Sequence, residues 1–163
     1  MKSKLKRFGK GFIYAWNGIR AAVREERNFR FHLVAALLAL WVSALAELQG
    51  TDLAMILLCV GAVMALELMN SAVERAVDKP DTTHWWSAGA AKDMAAGGVL
   101  VMAVASVAVA FCLLVPRFAL IWEKVCTFRP WQWVALVVAA LAAYFFIFNT
   151  PNQTQKGKDP NGK

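Results

Sequence analysis

Long uncharged apolar blocks restrict this chain more than any other feature. Residues 53–66, 94–115 and 131–148 contain no Asp, Glu, Lys or Arg, and residues 31–48 carry only Glu47, with His32 near their start. A helix of about 20 apolar residues crosses the roughly 30 Å hydrocarbon core of a bilayer. In lipid a helix also satisfies its own backbone groups, which an irregular chain cannot do. The expectation is therefore an all-α integral membrane protein. It has an N-terminal amphipathic surface helix over 3–28, transmembrane helices over about 31–48, 53–77 and 94–115, and a fourth, C-terminal apolar helix within 131–149. That last helix is long enough to span, but a helix lying flat on the membrane fits the same composition. The 163 residues, 59% of them hydrophobic, divide into a membrane domain over 1–116, a connector with the extra apolar helix over 117–149, and a disordered tail over 150–163.

The charge pattern orients these helices. Of a net charge of +7, much of the positive excess falls in residues 1–30. Beside apolar blocks, such a cluster marks the cytoplasmic flank of a membrane protein rather than a nucleic-acid surface. Leu5, Phe8, Phe12, Ala15, Trp16 and Ile19 recur at helical spacing with Lys4, Lys6, Arg7 and Lys10 between them. That is the pattern of a helix resting on an anionic bilayer; an amphipathic helix packed on protein is the alternative. With the N-terminus cytoplasmic, the first span exits, the second returns, and residues 75–92 lie on the cytoplasmic side again. The connector, with Arg117, Lys124 and Arg129, then falls outside, which runs mildly against the positive-inside rule. Gly50-Thr51-Asp52 reads as the tight turn between the first two spans, and residues 82–91 as a short polar connection before the third. The charged N-terminus is unlike a cleavable signal. Cys59, Cys112 and Cys126 stand at no metal-binding spacing and imply neither a zinc site nor a disulfide framework.

The chemistry lies in one stretch, Glu67-Leu68-Met69-Asn70-Ser71-Ala72-Val73-Glu74-Arg75-Ala76-Val77-Asp78. At about 100° per residue, Glu67, Asn70, Glu74 and Asp78 fall on one helix face. An apolar span thus ends by projecting three carboxylates and an amide along one stripe. A solvated acidic helix end would suit Asp78 and Glu74, but it suits Glu67 poorly, because an unbroken apolar run precedes it. Close carboxylates repel one another, and a hard divalent cation such as Mg²⁺ relieves that repulsion through oxygen ligands. An acid partly withdrawn from water can also act as a base. Lys92-Asp93 and Glu25-Glu26 lie on the same membrane side. Carboxylates for a metal and a lysine for phosphate are what phosphoryl transfer requires, because its demands are positioning and charge neutralisation. Arg7 and Arg20 add candidate phosphate or lipid-headgroup contacts.

These residues resemble the signatures of the prokaryotic diacylglycerol kinase family, which includes undecaprenol kinases. One signature is the stretch from Glu67 to Asp78, a second is Ala91-Lys92-Asp93, and a third is Glu26-Arg27-Asn28-Phe29-Arg30; the resemblance covers roughly residues 7–115. It implies a surface helix plus three transmembrane helices, assembled as a homotrimer in the bacterial inner membrane, with shared active sites at the cytoplasmic interface. It implies a lipid kinase that uses ATP and Mg²⁺ to phosphorylate the primary hydroxyl of diacylglycerol or undecaprenol. Glu67 would be the catalytic base, and Asn70 and Asp78 would orient the site. Glu26 and Glu74 would hold Mg²⁺ against the ATP phosphates. Lys92 and Asp93 would contact the nucleotide, Arg7 and Tyr14 would face nucleotide or lipid, and His84 would stand near the nucleotide. The loop around His84 and the segment after Pro116 depart from the family pattern.

Two other classes fit part of the sequence. A small proton-coupled transporter would use Glu67 but leaves Glu26, Glu74, Asp78, Lys92 and Asp93 unexplained. A non-catalytic assembly subunit would use the Ala- and Gly-rich helices and tolerate Glu67→Gln and Glu74→Gln.

Overall fold

A computed structural model describes residues 2–77 and 86–149, with side chains from residue 9 and, in the second segment, from residue 88. The elements are α1 (Lys2–Glu25), α2 (Arg27–Leu45), α3 (Gly50–Val77), α4 (Trp86–Leu114), a 3₁₀ turn (Val115–Arg117), α5 (Phe118–Cys126) and α6 (Pro130–Phe148). Among the described residues four helical stretches are long and apolar enough to cross a membrane: Arg27–Leu45, Gly50–Val77, Ala88–Cys126 and Pro130–Phe148. Leu58, Val101 and Phe111 are 72%, 71% and 66% exposed, which is tolerable only if lipid covers them.

On α1, Phe12, Ile13, Tyr14 and Trp16 all face outward, and Ala22 in the last turns is buried. The helix thus touches the bundle at its C-terminal end and leaves its aromatic residues for the bilayer surface. It stops at Glu25, earlier than a surface helix over 3–28 would. The cause is Glu26, a single extended residue (φ −102°, ψ 113°) that turns the chain into α2. Its N–H still donates to the Ala22 carbonyl at 2.9 Å, and its own carbonyl accepts from the Arg30 N–H at 3.3 Å.

The α2–α3 reversal uses two left-handed residues, Glu47 and the expected Gly50 (φ 55°), while Thr51 and Asp52 lie in the first turn of α3. Glu47 adopts a left-handed φ of 53°. The Leu48 N–H donates to the Ser43 carbonyl at 3.0 Å and the Glu47 N–H to the Ala44 carbonyl at 3.2 Å, a Schellman closure. Leu48 then turns inward to join Ala46 and Ile56 in the principal core cluster, against Leu53, Leu113 and Ile121. Asp52 sits in the first turn of α3, where the helix dipole favours an acid.

After Pro116, α5 folds back over this reversal. Arg117 pairs with Asp52 at 2.7 Å and Lys124 with Glu47 at 2.6 Å. The Lys124 ammonium, which also donates a hydrogen bond, holds the Glu47 carboxyl below the usual carboxylate range. Two of the connector's cations are thus paired with acids of the reversal. Both partners of the Arg117–Asp52 pair are 35% exposed, so water weakens it. Arg117→Met is expected to lower stability by about 1 kcal/mol or less. Adding Asp52→Asn should then cost almost nothing more, as thermal unfolding in detergent micelles would record.

Pro130 begins α6, at a helix position where a missing N–H costs nothing. At this end the Phe128 ring lies 6.4 Å from Trp41 and 5.7 Å from Trp133. At the other end Arg30 donates to the Asn149 carbonyl at 3.3 Å. Trp41 is near the end of α2 and Arg30 near its start, so α6 runs antiparallel to α2 along its length. A helix laid against a candidate span in this way is placed to cross the same thickness, which favours spanning over lying flat. The N-terminal ends of α2 and α4, and the C-terminal ends of α1, α3 and α6, therefore gather at one face of the bundle.

Candidate active site

At that face α3 presents the acidic stripe. Glu67 and Asn70 are 3% and 5% exposed, and Ser71 is also buried. Asn70 Nδ2 donates to Glu74 Oε1 at 3.0 Å, one turn along the helix. This bond fixes the Glu74 carboxylate and leaves Asn70 Oδ1 buried with no hydrogen-bond partner among the described residues. A buried acceptor without a donor is costly, and such an atom invites a ligand.

The second half of the site comes from the α1–α2 corner. Arg75 donates to Glu26 Oε1 through both Nε (3.3 Å) and an η nitrogen (2.8 Å), and approaches Glu25 at 3.3 Å. Arg75 is therefore the tie that draws the corner onto α3 across an apparent gulf in sequence. Glu67 lies close enough to both Glu74 and Glu26 to interact with their charges. Three carboxylates from two segments thus share one electrostatic neighbourhood. Both Arg75 bonds go to the same oxygen of Glu26, so Oε2 is outside that pair.

A cleft of about 340 Å³ opens beside this cluster, between α1 and α3. Ala15, Gly18, Ala22, Leu68 and Ser71 line it, with Arg75 as its charged wall. Small side chains on α1 make the room, and Ser71 stands one turn from Glu67. An apolar slot ending at a cation suits a molecule with a greasy body and a polar head.

The remaining sequence candidates fall into three groups. Lys92 is half-buried and Asp93 exposed on α4. They lie about two turns into that helix rather than at its opening, because the helix starts at Trp86, inside the stretch expected as a polar connection. Tyr14 is 68% exposed and Arg20 exposed on α1, and neither is brought against Glu67 or Glu74 by any described hydrogen bond or ion pair. The Arg7 side chain, Asp78, His84 and the tail over 150–163 lie outside the described residues. Among the described residues no three His, Cys, Asp or Glu side chains converge as a ready-made metal cage. Mg²⁺ does not require one, since it commonly takes one or two carboxylates and completes its shell with water and substrate phosphates. Glu26 Oε2 and Glu74 fit that donor set.

Sequence reasoning quoted Arg75 and Arg30 within its signatures but gave neither a role in the site. Arg75 stands beside Glu74 in the stretch that drew attention, yet nothing local announces a partner 49 residues away.

A helical bundle with four candidate spans among the described residues, a buried acid and an apolar cleft nearby has the features of a membrane-embedded enzyme. Comparison with known proteins makes this specific: residues 13–114 match the prokaryotic diacylglycerol kinase family. The chain is 40% identical to an undecaprenol kinase of Bacillus subtilis, over 71% of this chain and 94% of that one. It is 40% identical to a diacylglycerol kinase of Synechocystis over 64% of this chain and 61% of that one. It is 34% identical to a diacylglycerol kinase of Escherichia coli over 62% of this chain and 82% of that one. The chain belongs to the prokaryotic diacylglycerol kinase family and is a lipid kinase, a multi-pass protein of a bacterial membrane. Helices α5 and α6 lie beyond the matched segment.

Proposed function

We propose that the protein transfers the γ-phosphoryl group of ATP to the primary hydroxyl of a membrane lipid at the cytoplasmic face of the inner membrane. The observation that carries this reading is Glu67: a buried acid one helical turn from Ser71 of the apolar cleft, within the fields of Glu74 and Glu26. The lipid tail occupies the cleft between α1 and α3, and its hydroxyl reaches Glu67. Glu67 accepts the hydroxyl proton as the oxygen bonds to the γ-phosphorus. The bond from that phosphorus to the β,γ-bridging oxygen breaks, and ADP leaves. Mg²⁺, held by Glu26 and Glu74, would neutralise the phosphate oxygens. Asn70 holds Glu74 in place for that duty and Arg75 holds Glu26. Lys92 and Asp93 lie on α4 on the nucleotide side, with Asp78, His84, Arg7 and Tyr14 completing its surroundings and Arg20 near the lipid head. The assembly is a homotrimer, so that exposed α1 residues such as Tyr14 serve a neighbouring subunit's site.

The lipid is diacylglycerol or undecaprenol. The relatives with equal identity act on one each by name, and both lipids offer a primary hydroxyl on apolar tails. Radiolabelled ATP and Mg²⁺ with each lipid in mixed micelles decide the matter. Label in one lipid selects it, and label in neither from well-folded protein would overturn the kinase mechanism proposed for this site.

A further inference from the structure

We propose that α6, lying outside the family-matched segment, is a strut that positions Glu26 by gripping Arg30 (the proposal rests on the reading of Glu26 as part of the active site). Arg30 lies one turn after Glu26 on α2 and is 3% exposed. An η nitrogen of Arg30 donates to the Asn149 carbonyl at 3.3 Å, and its guanidinium carbon lies 6.0 Å from the centre of the Phe146 ring. The grip combines a hydrogen bond, a cation over an aromatic face and the negative end of the α6 dipole, which favours a cation there. At its other end α6 is braced by Phe128 packing between Trp41 and Trp133. The helix is thus fixed to α2 at both ends.

The Glu26 corner needs such support. It is a single extended residue between two helices, and no side chain caps the start of α2. The α1 side of the corner is largely exposed, from Gly9 to Arg20. Arg75 grips the Glu26 carboxylate, but it is 44% exposed and shares itself with Glu25. What holds the first α2 turn is its two buried side chains, Phe29 and Arg30, and what holds Arg30 includes the end of α6. Arg30 and the α6 residues Phe146 and Asn149 are positioning groups: they act on the site through Glu26.

The test uses full-length protein in lipid nanodiscs, with amide hydrogen exchange and kinase kinetics read on the same samples. Three variants are compared: deletion of residues 130–163, Phe146→Leu, and Phe146→Tyr. Deletion should speed exchange at the hydrogen-bonded amides of Glu26 and Arg30 by about tenfold, and Phe146→Leu by a smaller factor. Phe146→Tyr keeps the aromatic face and should behave as wild type. Amides in the middle of α3 and α4 should not change. In the kinase assay the KM for ATP should rise with little loss of kcat at saturating nucleotide. Unchanged exchange at Glu26 and Arg30 without α6 would overturn the proposal. So would faster exchange throughout the bundle, which marks general scaffolding. Wild-type protein that phosphorylates no lipid would overturn the kinase role of Glu26, while the exchange pattern would still decide whether α6 positions it.

Discussion

Glu67→Gln is expected to lower kcat by about 10²–10⁴-fold, the range over which a positioned general base contributes. The KM for ATP should change little. The substitution keeps the size and shape of the side chain, and the Glu67 carboxylate has no hydrogen bond to another described residue to lose. Its neighbours differ: Glu74 is bound by Asn70, and Glu26 by Arg75. The acid that is least engaged by protein is the one available to take a proton. Glu67→Gln also removes one of three mutually repelling charges, so thermal stability should hold or rise. Loss of turnover with stability retained separates a chemical role from a structural one. Retained turnover would remove Glu67 as the base and turn attention to another acid of the cluster.

Glu74→Gln is expected to act differently. Its Oε1 accepts from Asn70 at 3.0 Å, and an amide oxygen can still accept that bond, so the orientation survives while the charge goes. If Glu74 holds Mg²⁺, the concentration of Mg²⁺ needed for half-maximal activity should rise by about tenfold or more. Disturbing even an outer partner of a metal ligand typically costs about 10- to 100-fold in metal affinity, and removing a ligand costs no less. Excess Mg²⁺ should recover much of the rate in this variant, and none of it in Glu67→Gln. An unchanged Mg²⁺ titration would end the assignment of Glu74 as a ligand. The two variants together distinguish a base from a metal ligand on the same helix face.

The acidic stripe was legible because helix periodicity is a local property: Glu67, Asn70 and Glu74 share a face whatever the rest of the chain does. The spans were legible for the same kind of reason, because apolar runs of this length have few alternatives to helices in lipid. The turn assignments fared worse. Gly50 does take a left-handed φ, as its residue type suggests, but the reversal also needs one at Glu47, a residue type that rarely accepts it. Glu47 has partners that belong to the reversal: Leu48 buried beyond it, and Lys124 bonded to its carboxylate. Likewise α4 starts at Trp86 and takes in residues 86–91, expected as part of a polar connection although Ser87 is the only polar side chain among them.

By itself the sequence determined that this chain lives in a membrane, which segments can cross it, and which residues of α3 face one way. Those features depend on composition and on the fixed rise and twist of a helix. Tertiary structure alone decided which distant groups meet. It brought Glu26 to Arg75, folded α5 onto the α2–α3 reversal through Asp52 and Glu47, and laid α6 antiparallel to α2 with its end on Arg30. Each of these contacts joins residues far apart in the chain. Nothing in the local pattern around an arginine names the carboxylate or carbonyl it will find, because that choice is made by the packing of whole helices.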